Sequence, residues 1–381
     1  MTERTYQECA RCVMDTSDPE IEFDNDGVCN HCLGFDRVTS KRWFPNEDGR
    51  ARLATIVQDI KRTGKGREYD CILGLSGGVD SSYLALMIKD YGLRPLVVHV
   101  DAGWNNELAV YNIEQVIKHC GYDLHTHVMD WEEMRDLQLA YLKSGVANQD
   151  VPQDHAFFSS MYHFAVKHRI RYVISGGNTA TECVFPSSWH HSAMDAVSLL
   201  DIHRRYGAMK LKHYRTISPL QYYLWYPFIY RMQTVRPLNY MPYDKGDALR
   251  YLKKEIGYKE YGRKHGESLF TKFFQNHYLP KKYGFDKRRP HLSSMILTGQ
   301  MKRSDAVLLL KEPLYDPCDL ERDTCYVARK LGVSVEELNH MIEGPNRDAS
   351  SFKNWNCLHK TIKSMQNVYK LLSGKDIRNY A

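Results

Sequence analysis

The sequence has no long apolar run. None of its 381 residues belongs to an apolar stretch near the roughly 18 residues that a membrane-spanning helix requires. The densest stretch, residues 222–229, is short and aromatic, with Pro227 inside it and Arg231 after it, which favours a core helix or contact with a membrane surface over a span. The first residues, MTERTYQEC, lack the basic and apolar segments of a secretory signal. We therefore expect a cytoplasmic protein without a membrane span.

A strong charge excess and a secreted cysteine framework are also missing. The chain has 52 Lys and Arg against 46 Asp and Glu, a net charge of +6. This excess fits an anionic substrate but is too small to indicate a nucleic-acid partner. The ten cysteines occur in a chain long enough to build its own apolar core, so they indicate a reducing cytoplasm rather than a disulfide scaffold.

Two catalytic motifs are absent. No GxxxxGK[ST] segment occurs, which excludes a Walker A loop. No G-x-C-x-G segment occurs and residue 2 is Thr, so the chain lacks the cysteine nucleophiles that a glutaminase would use. Any ammonia that the protein consumes is therefore expected from solution or from a partner.

Short β-branched strands alternate with amphipathic helices in the middle of the chain. Strands are predicted at 70–75, 95–101, 124–130 and 171–175, and helices at 82–91, 106–120, 132–142 and 157–168. This alternation predicts an α/β fold with a doubly wound parallel sheet, which binds ligands beyond the carboxyl ends of its strands. The expected domains are a metal-binding module at 1–45, the α/β domain at 50–240 and a helical region at 241–381.

A glycine-rich loop joins the first predicted strand to the first predicted helix. It reads Ser76-Gly77-Gly78-Val79-Asp80-Ser81-Ser82. The glycines let the backbone approach an anion, and successive N–H groups at a helix N-terminus attract phosphate. The serine hydroxyls add donors, while Asp80 is suited to holding Mg²⁺ or orienting the loop. A structural turn with a serine cap is the alternative reading of these residues.

Four cysteines near the N-terminus form two Cys-x-x-Cys pairs, Cys9 with Cys12 and Cys29 with Cys32, separated by sixteen residues. Two such knuckles close a tetrahedral four-thiolate shell, which is typical of structural zinc. The closed shell has no position for a reacting water, so we expect Zn²⁺ to fold this segment rather than to catalyse. His31 lies inside the second pair and is not expected to be a ligand.

The loop is similar to that of the PP-loop ATP pyrophosphatases, whose SGGxDS motif is matched at residues 76–81. This resemblance covers about residues 68–240 and implies the adenine nucleotide alpha-hydrolase fold. It implies cleavage of ATP between the α- and β-phosphates, with adenylation of a carbonyl oxygen that a nitrogen or sulfur nucleophile then displaces. It also implies adenosine or nucleotide contacts at His99, Asp101, Gly176, Gly177 and Asn178. A helix cap at Asp101 and a tight turn at 175–178 are the alternatives.

The C-terminal region resembles the N-acetyl sugar amidotransferases of bacterial surface-polysaccharide and flagellar-glycan synthesis. The similar segments are His265-Gly266-Glu267-Ser268, Thr271-Lys272-Phe273, residues 283–294 and Gly299-Gln300-Met301. This resemblance implies conversion of an acetamido group, on a nucleotide-linked or nonulosonic sugar, into an acetamidino group, as in LPS O-antigen synthesis. It also implies a partner glutaminase similar to that of histidine biosynthesis, sometimes with a cyclase-like companion.

Cationic and polar side chains of this C-terminal block are the candidate sugar ligands. Lys287, Arg288 and Arg289 suit phosphate or a sugar carboxylate. We assign Lys287 and Arg288 to catalysis together with Ser76 and Asp80. The candidates for sugar binding are His265, Glu267, Ser268, Lys272, Arg289 and His291. A solvated basic loop and structural histidines are the alternatives.

Two other functions remain open. A tRNA-modifying PP-loop enzyme would thiolate or amidate a base, but the second cysteine pair typical of thiolation is missing and only Cys183 follows the fourth strand. A catalytically silent nucleotide-binding scaffold is the third reading, against which the intact Ser76, Asp80 and Ser81 argue. The leading expectation is an ATP-dependent amidotransferase that uses imported ammonia.

Overall fold

The computed structural model describes residues 5–261 and 266–373. Its strands are β1 Cys71–Gly74, β2 Pro95–Asp101, β3 Asp123–Val128, β4 Tyr172–Ile174 and β5 Gln233–Val235. They form one sheet in the order β3-β2-β1-β4-β5, and every neighbouring pair is parallel. The predicted α/β fold with a parallel sheet is therefore confirmed. Strands β2 and β3 are added on one side of β1, and β4 and β5 on the other. The order of strand addition therefore reverses between β1 and β4, which is where such sheets bind ligands.

The central strands are apolar and the edge strands are polar. β1 and β4 are buried along nearly their whole length because helices cover both faces of the sheet. β5 is absent from the predicted strands, since Gln233 and Thr234 give it no apolar pattern. Its pairing with β4, which places Val173 opposite Thr234, defines it instead.

Helices flank the sheet and form most of the C-terminal part. Those before β4 are α1 Asn30–Gly34, α2 Glu47–Gly64, α3 Val79–Asp90, α4 Glu107–Cys120, α5 Trp131–Ser144 and α6 Val151–Lys167. The helices between β4 and the C-terminal block are α7 Thr179–Glu182, α8 Ala196–Tyr206 and α9 Lys245–Ile256. The remainder are α10 Leu269–Phe273, α11 Leu279–Tyr283, α12 Arg288–Leu297, α13 Arg303–Lys311, α14 Pro317–Leu331, α15 Val335–Glu343 and α16 Asn356–Ser373.

Local capping chemistry sets the helix boundaries. Asn106 accepts a hydrogen bond from the N–H of Leu108 at the start of α4, and Gly121 ends that helix with φ +70°. The third strand stops at Val128, before the predicted end at residue 130. The physical reason is that Asp130 accepts a hydrogen bond of 3.1 Å from the N–H of Glu133 and thereby begins α5.

The N-terminal cysteine segment shares an apolar core with the C-terminal helices. Met14 and Ile21 pack in one cluster with Phe270, Phe273 and Val327. Separate clusters fill the two faces of the sheet. The predicted domain boundaries near residues 45 and 240 stay predictions, but the first and third of these segments bury apolar surface against each other.

The aromatic stretch at 222–229 forms a π-helical segment, Gln221–Ile229, directly before β5. Tyr223 and Tyr226 are buried in it, whereas Leu224, Phe228 and Ile229 are exposed. It is therefore neither a fully buried helix nor a free loop. No described helix is long and apolar enough to cross a membrane.

Candidate functional site

The loop after β1 has the geometry of an anion cradle. Gly77 adopts φ +83°, a conformation that favours glycine, and a Cβ there would lie 2.7 Å from the carbonyl oxygen of Ala109. The hydroxyl of Ser76 accepts a hydrogen bond of 3.2 Å from the N–H of Gly78. The Oγ atoms of Ser76 and Ser81 are also 3.2 Å apart. Three polar groups therefore converge at the N-terminus of α3, where the helix dipole favours negative charge.

Residues distant in the sequence hold this loop in place. The hydroxyls of Tyr258 and Tyr261 both donate to the carbonyl oxygen of Gly77, at 2.9 and 2.8 Å. The carboxylate of Glu267 lies next to Gly78, since a Cβ built on Gly78 would be 3.4 Å from its Oε1. The structure thus brings one of the predicted sugar ligands, Glu267, to the phosphate loop.

Asp80 lies in the first turn of α3. The hydroxyl of Tyr243 donates to its Oδ1, and burial together with this carboxylate raises the pKa of Tyr243. Ser82 is fully buried, and its hydroxyl has no hydrogen-bond partner within the described residues. A carboxylate at the phosphate end of the loop fits the oxygen coordination that Mg²⁺ prefers, so Asp80 is the residue that would hold this ion.

A second turn of the same kind follows β4. The hydroxyl of Ser175 accepts a hydrogen bond of 3.2 Å from the N–H of Gly177, which repeats the contact between Ser76 and Gly78 on the neighbouring strand. Gly176 packs against the first loop, because a Cβ there would be 3.2 Å from the N atom of Ser81. The two glycine turns therefore lie side by side at the reversal point of the sheet.

The side chain of Asn178 forms hydrogen bonds within the backbone of this second turn. Its Oδ1 accepts a hydrogen bond of 3.0 Å from the N–H of Thr181, and its Nδ2 donates to the carbonyl oxygen of Gly176. The side chain is buried. This geometry makes Asn178 the N-cap of α7, so it argues against direct contact between its side chain and the nucleotide.

Arg236 is a cation at this site that the sequence did not indicate. It directly follows β5, and its Nε lies 3.7 Å from a Cβ built on Gly177. Its side chain is exposed, yet its surroundings exclude enough water to lower its pKa, while Glu182 acts in the opposite direction. These properties are those of a group lining a cleft. Within the described residues its guanidinium has no hydrogen bond or ion pair.

The end of β2 carries the two predicted adenosine contacts. His99 is buried, with its Nδ1 2.9 Å from the carbonyl oxygen of Leu75 and its Nε2 2.8 Å from Nδ2 of Asn105. Asp101 accepts a hydrogen bond of 2.8 Å from the N–H of Gly103, and α4 is capped by Asn106 instead. Asp101 also borders a pocket of about 300 Å³ between the ends of β2 and β3. The pocket is a suitable place for an adenosine.

A continuous polar path leads from this region into the C-terminal block. Asn105 pairs with Ser268 through an isolated β-bridge. The hydroxyl of Ser268 donates to Oε1 of Gln153 at 3.2 Å, and Nε2 of Gln153 donates to Oδ1 of Asp150 at 3.3 Å. Thr271 donates to the same oxygen at 3.0 Å. The residues beside the phosphate loop and Asp150 are therefore linked through contacts of both backbone and side chains.

Asp150 is the most perturbed carboxylic acid along this path. Burial and the neighbouring charge of Asp154 raise its pKa to about 8, against the opposite effects of Thr271 and Lys287. A carboxyl group with such a pKa exchanges protons near neutral pH, which is what a general base or acid requires. No local sequence motif marks Asp150, since its pKa depends on residues brought together by the fold.

Two of the predicted basic ligands have structural partners. Arg288 forms an ion pair of 2.7 Å with Asp286 and donates to the carbonyl oxygens of Leu309 and Glu312 at the end of α13. Arg289 binds Glu8 and Asp15, each at 3.0 Å. These contacts use both guanidinium groups to hold helices and the cysteine segment. They argue against the predicted roles of Arg288 in catalysis and Arg289 in sugar binding.

The other candidates divide into two groups. Lys272 forms a 2.7 Å ion pair with the buried Asp323, and Nδ1 of His291 lies 3.0 Å from the carbonyl oxygen of Thr181, so both have positions that stabilise helix packing. Lys287 lies near Asp150, and Ser268 belongs to the polar path. His265 lies outside the described residues.

The four N-terminal cysteines form a buried cluster. Their Sγ atoms are 3.8 Å apart for Cys9 and Cys32, 3.7 Å for Cys12 and Cys29, and 3.6 Å for Cys29 and Cys32. A tetrahedron with Zn–S bonds of about 2.3 Å has S–S edges of about 3.8 Å, so the four sulfurs fit a zinc ion. The four thiols perturb one another: contact with Cys12 lowers the pKa of Cys9 and Cys29, and contacts within the same cluster raise the pKa of Cys12 and Cys32.

The surroundings of this cluster support a structural role. Nε2 of His31 lies 2.7 Å from Oδ2 of Asp18, and the cluster that could hold a metal consists of the four cysteines. Arg303 donates to the carbonyl oxygens of Cys9 and Cys12, and Ser293 accepts a hydrogen bond from the N–H of Val13. The metal-binding segment is therefore attached to α12 and α13.

The C-terminal part of the chain is similar to a known family. Residues 267–367 match the family model of the C-terminal domain of WbpG-like LPS biosynthesis proteins. The match begins at Glu267, beside the phosphate loop, and ends within α16. It confirms the resemblance to surface-polysaccharide enzymes predicted from this block. No curated protein matches the chain.

Several solved structures are similar to the chain at low identity. An NH3-dependent NAD synthetase from Campylobacter jejuni is 16% identical over 35% of this chain and 59% of that chain, with a TM-score of 0.27. An NMN synthetase from Francisella tularensis is 15% identical over 35% and 55%, with a TM-score of 0.23. An NAD+ synthetase from Burkholderia pseudomallei is 15% identical over 90% and 96%, with a TM-score of 0.32. The chain therefore spans less than two thirds of the first two synthetases.

Proposed function

Because residues 267–367 match the family model of the C-terminal domain of WbpG-like LPS biosynthesis proteins, we propose that the chain is an ATP-dependent amidotransferase acting on the N-acetyl group of a sugar. The observation that carries this proposal is the polar path from the phosphate loop to Asp150. The path joins a site suited to pyrophosphate with a buried group that exchanges protons near neutral pH. Amide activation followed by attack of ammonia needs both.

The first step adenylates the acetamido oxygen. The amide oxygen attacks the α-phosphorus of ATP, a new P–O bond forms, and the bond to the β-phosphate oxygen breaks. Pyrophosphate leaves into the cradle of Ser76, Gly78 and Ser81, where N–H and hydroxyl donors stabilise its charge. Mg²⁺ held by Asp80 would supply further charge neutralisation. Arg236, beside the second glycine turn, provides a cation for the same group.

The second step replaces oxygen by nitrogen. Ammonia attacks the carbon of the adenylated amide, and the C–O bond to AMP breaks. The incoming nitrogen must lose a proton, and we assign ionised Asp150 as the group that accepts it. Lys287, which lies near Asp150, provides a positive charge that favours this ionisation. The products are an acetamidino sugar, AMP and pyrophosphate.

The ammonia is expected from a separate glutaminase. Ammonia in water is mostly protonated at neutral pH and ammonium is not nucleophilic, so a sheltered path from a docked partner is advantageous. The sequence has no glutaminase nucleophile of its own, as described above. A glutaminase similar to that of histidine biosynthesis, with or without its cyclase-like companion, is the partner we propose.

Thiolation is disfavoured by the state of Cys183. Its thiol lies against the carbonyl oxygen of Ser294, and burial raises its pKa to about 11. A sulfur-transfer enzyme needs a thiolate near neutral pH, which this environment does not provide. Nitrogen transfer therefore fits the site better than the tRNA-thiolating alternative.

An isotope experiment tests the proposal. The protein is incubated with ATP, Mg²⁺, ammonium salt and acetamido sugars, both nucleotide-linked and nonulosonic, whose acetamido oxygen is ¹⁸O. Transfer through adenylation places one ¹⁸O in AMP and none in the amidine product, and mass spectrometry measures both. The Asp80→Asn variant should lose AMP formation, whereas Asp26→Asn in an exposed N-terminal turn should retain it.

The contradicting results are equally distinct. AMP that carries only solvent oxygen would indicate plain ATP hydrolysis and exclude amide activation. AMP formation that depends on tRNA and ignores every sugar would favour the nucleic-acid alternative. No AMP under any condition would favour a silent scaffold.

A further inference from the structure

One surface lies outside the candidate site and has an unusual composition. The π-helical segment before β5 exposes a group of apolar side chains, here called the aromatic patch: Leu220, Leu224, Trp225, Phe228 and Ile229. Ile229 is 72% and Leu220 is 69% exposed, although neither carries a charge that would favour contact with water. A contiguous apolar patch of this kind marks a surface that is covered in use.

A row of arginines borders the aromatic patch. The guanidinium of Arg67 donates a hydrogen bond to the carbonyl oxygen of Arg169. Burial raises the pKa of Tyr230, and the charges of Arg67, Arg171 and Arg169 act in the opposite direction. Tyr230 in turn stacks on Trp225 of the patch, with ring centroids 5.6 Å apart. Arg231 follows directly and is exposed. Glu68 and Asp123 lie beside Tyr69, towards the β3 side of the sheet.

The topology of the sheet explains why these arginines are neighbours. Arg67 precedes β1, Arg171 precedes β4 and Arg231 precedes β5, and these strands are adjacent and parallel. Their amino ends therefore lie along one edge. The glycine turns lie at the opposite, carboxyl edge, so the arginine row is remote from the phosphate loop.

Two of these arginines have a backbone conformation that is uncommon for a residue with a long side chain. Arg169 and Arg231 both have φ 58°, in the left-handed region. Glycine or asparagine adopts this conformation more readily than arginine does. The sequence therefore carries a cation at two positions where a smaller residue would fold more easily.

Acidic residues are absent from two of the segments that form this surface. Residues 202–243 contain no Asp or Glu; of their cations, Arg231 belongs to the arginine row, whereas Arg236 lies at the opposite edge of the sheet. Residues 349–373, which include α16, also contain no Asp or Glu. The two segments pack together, since Trp355 stacks on Tyr222 and His359 lies 2.6 Å from the hydroxyl of Tyr223.

Helix α16 continues the surface with the same character. It exposes Leu358, Met365 and Val368 beside Lys360 and Lys363. A helix with apolar and basic side chains and no acidic ones is typical of segments that lie on a lipid surface. Tryptophan at the boundary, as at Trp225, is typical of the same interface.

We propose that the aromatic patch, the arginine row and α16 dock the protein on the surface of an anionic lipid bilayer. The apolar side chains enter the region between headgroups and acyl chains, and the arginines bind lipid phosphates. Charge complementarity selects this occupant, because residues 202–243 and 349–373 bring cations and no acidic side chain to an anionic bilayer, whereas a second copy of this surface would oppose cation to cation. The candidate site then faces away from the lipid, at the carboxyl edge of the sheet.

Co-sedimentation with vesicles tests the proposal with the full chain. Vesicles of equimolar phosphatidylglycerol and phosphatidylcholine should bind the protein, and vesicles of phosphatidylcholine alone should bind it much more weakly. Binding should weaken as salt is raised, because exposed charges are screened. Brominated lipids should quench fluorescence that is present in the wild type and lost in the Trp225→Phe variant.

Variants separate the two contributions. Phe228→Ser with Ile229→Ser removes exposed apolar surface and should reduce partitioning by about ten-fold. Arg169→Asn with Arg231→Asn should reduce binding to anionic vesicles by about five-fold for each cation removed, and asparagine tolerates the left-handed backbone. Leu308→Ser, at a 61% exposed position on α13, is the matched control and should leave binding unchanged.

Three outcomes would overturn the proposal. Equal and weak sedimentation with both vesicle types shows that no lipid surface is bound. A wild-type dimer in sedimentation velocity that Ile229→Ser converts to a monomer identifies the patch as a contact between copies. Loss of a glutaminase partner in the Ile229→Ser variant, without vesicle binding in the wild type, assigns the surface to that partner. None of these outcomes affects the isotope test of the reaction.

Discussion

At the scale of single residues, the chemistry of the candidate site depends on side chains that only the fold brings together. Burial and, to a smaller extent, the charge of Asp154 raise the pKa of Asp150. Arg236 lies beside Gly177 because β5 pairs with β4. Both residues belong to segments without a recognisable motif. For each of them, activity and stability measurements can distinguish a role in the reaction from a role in folding.

Replacing Asp150 by Asn should change both activity and the pH dependence of stability. The folded-state pKa of about 8 lies above the value near 3.9 expected in the unfolded chain. The folded state therefore binds more protons between these values, and the wild-type free energy of unfolding should fall as the pH rises from about 4 to about 8. Urea unfolding of Asp150→Asn across this window should show a flatter dependence.

The same variant should lose turnover through the proton-transfer step. We expect amidine formation to fall by about 100-fold, the lower range for loss of a general base. The exposed Asp26→Asn is the control for stability and activity. A wild-type activity profile that shows no ionisation between pH 7 and 9, with Asp150→Asn fully active, would remove Asp150 from the mechanism.

Replacing Arg236 by Gln should weaken the use of ATP. A charge-assisted contact to phosphate contributes about 1.5–3 kcal/mol, which corresponds to a loss of about 10-fold to 100-fold in kcat/KM for ATP. Arg236→Lys should restore part of this loss because it keeps the charge. Arg50→Gln, on the exposed face of α2, is the control. Equal kcat/KM in Arg236→Gln and wild type contradicts the assignment.

At the scale of elements, the phosphate loop is held by a segment far along the chain. Two tyrosines after α9 bind the carbonyl oxygen of Gly77, and the alignment of this peptide fixes the direction of the next N–H groups. The loop is therefore ordered before a nucleotide arrives. Preorganised donors of this kind are more effective than flexible ones because they need no rearrangement during the reaction.

Two glycine positions allow backbone strain to be separated from steric fit. Gly66 and Gly77 have similar φ values of +77° and +83°, but a Cβ at Gly66 would have no neighbour within 4 Å. Gly66→Ala should therefore cost about 1–2 kcal/mol of stability, from the left-handed conformation alone. Gly77→Ala should cost about 2–5 kcal/mol, because the added Cβ also contacts the Ala109 carbonyl oxygen.

The readouts for these variants are chemical denaturation and AMP formation. Gly66→Ala should retain full AMP formation because Gly66 precedes β1, away from the carboxyl edge of the sheet. Gly77→Ala should lose it even where the protein is folded. An equal loss of stability in the two variants would show that the loop can move to accommodate the added Cβ at residue 77.

At the scale of the whole molecule, contacts connect the N-terminal cysteine segment with the candidate site. The segment binds α12 through Arg289 and Ser293, and residues at the end of α12 bind the carbonyl oxygen of Ala180 in α7. Helix α7 begins directly after the second glycine turn. Loss of the metal should therefore affect residues well beyond the four cysteines.

Replacing Cys12 by Ser should remove zinc and destabilise the whole chain. Metal content should fall, and the loss of a structural metal shell should cost on the order of 4 kcal/mol or more in the free energy of unfolding. Cys318→Ser, at an exposed free cysteine, should change neither. An unchanged unfolding temperature in Cys12→Ser, or full zinc retention, would show that the cysteines are not a metal site.

A companion variant tests the position of Arg289. Arg289→Gln should lower the unfolding temperature and weaken zinc retention, since it loses contacts to Glu8 and Asp15. The KM for the sugar should remain unchanged. A raised sugar KM with normal stability would instead support the substrate-binding role first predicted from the sequence.

The sequence by itself determined the local chemistry. The run from Ser76 to Ser82 predicted the phosphate loop, because glycine conformational freedom and serine donors act within a single turn. The cysteine spacing predicted the zinc geometry for the same reason, since each knuckle is local. The alternation of strands and helices predicted the parallel sheet, because burial on both faces leaves an apolar signature in each strand.

Only the tertiary structure decided which side chains meet. It gave Arg288 and Arg289 structural ion pairs, because their partners come from segments that no local pattern connects to them. It placed β5, Arg236 and Asp150 at the site and gathered the arginine row at the opposite edge of the sheet. Strand order is set by long-range packing, and pKa values and charge clusters follow from that order.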